Sequence, residues 1–278
     1  MPQRVSSFVV AIATFASLCG AAMIADPRRE LSVGLTAAEL REKAAQLKKK
    51  GYRPVILNGC VKDESIRYSA IWEQRSGVAW EMRLELDADR LQKEFDQLTA
   101  NGYTPIYMHG CSVGGKATYC ELFEKRRPTA AVSLGELTAQ AFEKKNAELK
   151  AQGFRLLVVN AMPRENSVRY WAIWEKRDGP DWQVLVGLNA DALQREFDRI
   201  TGEGYQPVHV SGCVVEDEVY YTEIFEQRKS TGCIARVGLA EQELTRQNRD
   251  LTAKGYRPIT VMGCSVKGEV SYAAIWEK

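Results

Sequence analysis

The stretch GYRPVILNGCVKDESIRYSAIWE, residues 51–73, decides the fold, because its pattern returns four more times at one fixed spacing. The leading glycine recurs every 51 residues as Gly51, Gly102, Gly153, Gly204 and Gly255, each followed by an aromatic residue. A tyrosine follows 17 residues later (Tyr68, Tyr119, Tyr170, Tyr221, Tyr272). Four places on stands Trp72, Phe123, Trp174, Phe225 or Trp276, and next to it Glu73, Glu124, Glu175, Glu226 or Glu277. A leucine precedes each glycine by 16 residues (Leu35, Leu86, Leu137, Leu188, Leu239). The chain is five copies of one module, and such units stack because none can bury its apolar face alone.

Within a module the sequence predicts a helix over 36–50. It opens on Thr36 with Glu39 three places on, a capping-box pattern. Asp87, Thr138 and Asn189 are good N-caps at the equivalent positions, and Ala240 is the exception. The glycine then ends the helix as a C′ residue does. A strand follows from about Arg53 to Asn58, with apolar residues four and six places after the glycine. The interleaved Ile56, Tyr107, Val158, His209 and Thr260 vary, which predicts one face on the helix and one facing elsewhere. After a polar turn, a second strand runs from Arg67 to Gln74, and a third short strand is expected around Trp80 to Leu86. The predicted class is an α/β (α+β) repeat protein of helix–strand–strand modules, stacked as a propeller-like toroid or a short open array. The frames are 35–85, 86–136, 137–187, 188–238 and a truncated 239–278.

A second period alternates copies. Odd modules read Tyr-x-Ala-Ile-Trp-Glu and even ones Tyr-x-Glu-Leu/Ile-Phe-Glu. Trp80 and Trp182 share a position filled by Ala131 and Cys233 in the other copies.

The formal charge of +2, from 38 basic and 36 acidic residues, leaves no polycationic footprint for nucleic acid. Residues Val5 to Ala25 carry no charge and follow Arg4, the pattern of a signal peptide over 1–25, with an uncleaved anchor as the second reading. Both readings place the protein outside the cytoplasm, secreted or in the cell envelope, with membrane attachment only if the segment stays. Six further cysteines, Cys60, Cys111, Cys120, Cys213, Cys233 and Cys264, suit disulfides in an exported chain. Four of them share the position nine after the glycine, where module three has Met162, so small core residues are the competing reading.

Gly51-Tyr52-Arg53-Pro54 and Gly255-Tyr256-Arg257-Pro258, with the Tyr-x-Ala-x-Trp second strands, resemble the bacterial tandem repeat domain. Gly102-Tyr103-Thr104-Pro105, Gly204-Tyr205-Gln206-Pro207, Phe95-Asp96 and Phe197-Asp198 are close to the same pattern, and Gly153-Phe154-Arg155-Leu156 departs most. Similar repeats form the N-terminal part of fungal polyglycine hydrolases, whose separate domain resembling serine β-lactamases does the chemistry. We find no Ser-x-x-Lys motif, so the resemblance implies a binding or accessory role and carries over no catalytic residue.

The recurrent Tyr, Trp/Phe and Glu positions read as structural, with the glutamates laddered to Arg75, Arg126, Arg177 and Arg228; a central carboxylate cluster holding a cation is the alternative. Trp80, Trp182 and Trp171, which do not recur in every copy, are the candidates for exposed binding aromatics. His109 and Cys111 form the one thin lead toward nucleophilic catalysis. No cofactor or metal site is expected. The sequence thus predicts an exported, non-catalytic binding or scaffold module for an extracellular or envelope polymer, peptide, glycan or protein. An atypical secreted hydrolase (or its accessory subunit) and a self-assembling spacer are the alternatives.

Overall fold

The computed structural model of the protein describes residues 10–11, 28–126, 129–164, 167–228 and 232–278. The predicted signal segment, 1–25, lies outside them, except for Val10–Ala11, which pair with the strand Cys233–Leu239. No helix among the described residues is long and apolar enough to cross a membrane.

There are five repeats, each with one helix and a three-stranded antiparallel sheet. In unit one an outer strand, Arg29–Leu35, leads into the helix Ala37–Lys49, and the hairpin Tyr52–Lys62 and Ser65–Gln74 follows. The outer strand pairs with the second hairpin strand, so the sheet order is outer, second, first, and the first hairpin strand forms an edge. This shifts the expected frame. Trp80–Leu86 does not close unit one; it is the outer strand of unit two and pairs with Lys116–Lys125. Cys233–Leu239 likewise opens unit five, which has the full set of elements and is not truncated.

Local chemistry accounts for the boundaries. Thr36 accepts from the Glu39 amide while Glu39 reaches back to the Thr36 amide, the reciprocal cap that closes both orphan donors. Asp87, Thr138 and Asn189 cap their helices, and Ala240 makes no side-chain cap. Asp63–Glu64, Gly114–Gly115, Glu216–Asp217 and Lys267–Gly268 all have positive φ at both positions, which is the twist a two-residue hairpin turn requires.

The odd–even alternation is a volume exchange between helix and sheet. In even units, Phe95 and Phe197 on the helix pack edge-on against Phe123 and Phe225, at 6.2 and 5.7 Å between centroids. In odd units the same helix position holds Ala44, Asn146 or Asn248, and the strand carries the larger indole of Trp72, Trp174 or Trp276. A buried indole N–H needs an acceptor. Trp174 donates to Asn146 Oδ1 at 2.9 Å, Trp276 to Asn248 Oδ1 at 3.0 Å, and Trp72 to Ser32 Oγ at 3.1 Å.

The face of the first hairpin strand that does not meet the helix is buried against neighbouring units. Ile56, Tyr107, Val158, His209 and Thr260 are all buried, because neighbouring units abut there. A one-residue bulge near the start of each first hairpin strand, as between Pro54 and Ile56, breaks the simple alternation. Ala161 N donates to Ser211 Oγ at 3.0 Å, Gly59 N to His109 Nδ1 at 3.4 Å, and Gly263 N in unit five to Asn58 Oδ1 in unit one at 2.8 Å.

The helix–sheet exchange is testable by a double-mutant cycle. Asn146→Phe should crowd Trp174 and cost about 1–3 kcal/mol in denaturant unfolding. Combining it with Trp174→Phe should recover most of that loss, since the pair then matches Phe95 and Phe123.

Candidate functional site

The recurrent glutamates are held by arginines, several of them across unit boundaries. Glu73 receives Arg29 and Arg53, and Arg53 also reaches Glu124 of unit two. Arg126 reaches Glu175, Arg155 reaches Glu226, and Arg228 reaches Glu277, each in the following unit. The laddering arginines differ in part from those expected. Arg53, Arg155 and Arg257 come from the start of the first hairpin strand, and no ion pair of Arg75 is found among the described residues. Burial raises the Glu73 carboxyl, but the hydrogen bonds from Arg53 and Arg29 outweigh it and hold the group below its ordinary value. Among the described residues no group of three or more His, Cys, Asp or Glu side chains is arranged to hold a metal ion.

The aromatic candidates divide. Trp80 and Trp182 are 8% and 3% exposed, which corrects the expectation that they face solvent. Trp80 packs edge-on against Trp72 at 6.4 Å, with Lys48 Nζ of unit one 4.7 Å from its ring. Lys150 Nζ lies 4.8 Å from Trp182 in the same way. These indoles seal the boundaries between units one and two and between three and four. Trp171 is half-buried and sits edge-on to Tyr119 at 5.4 Å. The signature tyrosines Tyr68, Tyr119, Tyr170, Tyr221 and Tyr272 are buried with their Trp or Phe partners.

Cys60, Cys111, Cys213 and Cys264 converge, with residues from every unit, on one cavity of about 200 Å³. All six described cysteines are free thiols, so the disulfide expectation does not hold. Burial and the neighbouring Cys60 push the Cys111 thiol up to about 12, and burial with His209 nearby brings the His109 imidazole down to about 4. Both are uncharged at neutral pH, so the pair lacks the thiolate that nucleophilic chemistry uses.

A different group stands out, and the sequence reading had treated it only as a mark of even copies. Glu121 is 1% exposed, and neither carboxylate oxygen has a hydrogen-bond partner among the described residues. It lines a cavity of about 290 Å³ between units two and three, together with Leu91, Phe95, Met108 and Trp171. Glu223, its counterpart in unit four, lines a narrower cavity of about 30 Å³ beside Leu193, Phe197 and Arg236. Odd units carry Ala70, Ala172 and Ala274 here, so the signal was legible as an acid at an inward position of a strand. Burial raises both carboxyls from 4.5 to about 8; for Glu121, Glu94 adds to the rise and Arg83 opposes it.

Each acid therefore keeps its proton in the folded state where the unfolded chain has lost it. Stability falls as pH rises from about 4.5 to about 8. Glu121→Gln and Glu223→Gln should each flatten part of that slope and raise stability at pH 8, by on the order of 2–4 kcal/mol. Denaturant melts at pH 5 and pH 8 check this; a variant as pH-sensitive as the native chain would show that these acids ionise freely.

Comparison with known families bears on the repeat itself. Five consecutive segments, 27–75, 77–126, 129–177, 179–228 and 231–278, match the polyglycine hydrolase-like structural repeat. Each segment begins near an outer strand and ends with its hairpin, the frame that the sheet pairing gives. The chain belongs to the family of polyglycine hydrolase-like structural repeats.

Proposed function

We propose that this protein is an exported, ring-closed binding or scaffold module that performs no chemistry of its own. The observation that carries the reading is how the recurrent residues are used. Their tyrosines and Trp/Phe side chains are buried in packing, and their glutamates are spent on ion pairs, several of them between units. Recurrence of that kind builds an array, and arrays serve as recognition surfaces. Ring closure is supported by the contacts of unit five with unit one, where Gly263 meets Asn58 and Arg29 donates to the Pro258 carbonyl at 3.4 Å. Export is supported by the uncharged run from Val5 to Ala25 behind Arg4. The recognition surface lies at the boundaries between units, where sequence differs from copy to copy, and its ligand is an extracellular peptide, glycan or protein.

Asn58→Ala should destabilise the chain by about 1–3 kcal/mol, as loss of a buried hydrogen-bond partner does. In an open array Asn58 has no neighbour on that side, and the substitution would be nearly silent in denaturant melts. Recognition is tested by applying the full chain to a combined peptide and glycan array. Selective binding that drops on Trp171→Ala, with the melting temperature retained, is the expected result; uniformly absent binding would favour a spacer role.

A further inference from the structure

The boundary between units two and three holds an acid and an indole that no polar partner among the described residues compensates. Trp171 occurs only in unit three, and so does the residue that admits it. Gly135 replaces Val33, Leu84, Val186 or Val237 of the other outer strands. A Cβ at Gly135 would stand 2.2 Å from the Trp171 ring, so only glycine allows the indole to lie against that strand. The indole Nε1 is buried without a hydrogen-bond partner among the described residues, and Glu121 in the same cavity has none on either oxygen. Both side chains thus line one space of about 290 Å³, room for several water-sized groups. Exposed Gln92 and Glu136 also line it, which gives a ligand a route in.

Elsewhere the chain sets an ammonium over a boundary indole, at a register other than that of Trp171: the position of Trp80 and Trp182 is Ala131 here. Between units one and two, and between three and four, a lysine of the chain lies over an indole: Lys48 over Trp80 and Lys150 over Trp182. At the end of the unit two helix the equivalent residue is Thr99, whose hydroxyl is turned onto its own helix carbonyls. The charged groups around the cavity are already engaged. Arg83 pairs with Glu94 and Glu81, at 2.6 and 2.8 Å, and Arg164 pairs with Glu136 at 2.7 Å. The described residues that line this cavity supply a carboxyl and an aromatic wall and no ammonium.

Resting on the binding-module reading, we infer that the cavity takes a primary ammonium group on an unbranched methylene stem, with Glu121 as counter-ion and Trp171 as aromatic wall. An ammonium near an indole face gains cation–π attraction, and a paired carboxylate relieves the cost of burying either charge. The methylene stem matches Leu91, Phe95 and Met108. On binding, the Glu121 carboxyl releases its proton to solvent and the ammonium keeps all of its own, so charge balances within the pair. The Glu223 cavity is not a second site. It is small, has Ala273 where Trp171 stands, and is already lined by the Arg236 guanidinium.

Isothermal titration of the full chain at pH 6, 7 and 8 tests this with two probes, n-butylamine and the peptide acetyl-Gly-Lys-Gly-amide. The expected result is one ligand per chain, one proton released at pH 6 and less toward pH 8, and affinity tightening by up to about tenfold per pH unit below pH 8. Glu121→Gln should weaken binding at least tenfold and Trp171→Phe severalfold, whereas Glu223→Gln should change nothing. Peptide binding well above butylamine assigns a lysine side chain as the natural group; equal binding assigns a free amine. Absence of binding by both probes at pH 8, affinity that tightens as pH falls, or binding that survives Glu121→Gln overturns the inference. Array recognition that persists in Glu121→Gln would refute this site and leave the module reading standing.

Discussion

Each sheet ends on a first hairpin strand whose outward amides have no strand to pair with, and the way these amides are satisfied governs the rest of the molecule. An unpaired sheet edge is a liability that proteins cover or cap. Here the neighbouring unit caps it with a side chain. The residue seven places after the leading glycine, such as Asn58, His109 or Ser211, accepts from the amide eight places after the glycine in the adjacent unit. Such close approach restricts what stands at that amide. A Cβ on Gly110 would lie 2.6 Å from the Met162 sulfur, and one on Gly212 would lie 2.8 Å from that of Met262. At Gly110 and Gly212 the neighbouring methionine thus crowds any side chain, whereas unit three carries Ala161 at the same position.

Bringing the edges together also brings the recurrent glutamates into dry surroundings. A buried carboxylate left alone is costly, and the arginines at the start and just beyond the end of the hairpins remove that cost across several boundaries. The two even-unit acids are the exception, and one of them, Glu121, marks the candidate site. Glu121 and Glu223 stand three residues before the arginine-bound Glu124 and Glu226, and burial leaves them protonated. The ladder and the cavities are thus two outcomes of one problem, how to keep acids in the contact between repeats.

Much of this was legible in the sequence. The period, the caps from Thr36 to Asn189, the glycine stops and the short third strand all follow from local chemistry that the chain repeats. The frame was not legible, because the outer strand pairs with a partner beyond its own helix and hairpin turn, and spacing alone cannot say which neighbour it joins. Trp80 and Trp182 were misread for a related reason. Their absence from some copies looked like freedom from packing, whereas it reflects a boundary that a lysine on the preceding helix completes. The cysteines were misread through their even number, though their shared position beside Met162 already pointed to a common apolar environment.

These cases separate two kinds of departure from a repeat. When Phe95 is matched by Phe123, or Asn146 by Trp174, the change on one element is answered on the facing element, and the pair is packing. When Gly135 makes room for Trp171, the steric change is answered, but among the described residues neither the indole N–H nor the adjacent Glu121 carboxyl finds a partner. Burial of polar groups without partners costs stability, so a fold that keeps them forgoes a cheaper alanine, the residue its own odd copies use at the Glu121 position. In a repeat protein, the informative residue is accordingly the copy-specific polar group that no facing residue compensates. By that criterion the recognition we propose belongs to the boundary between units two and three and not to the recurrent signature.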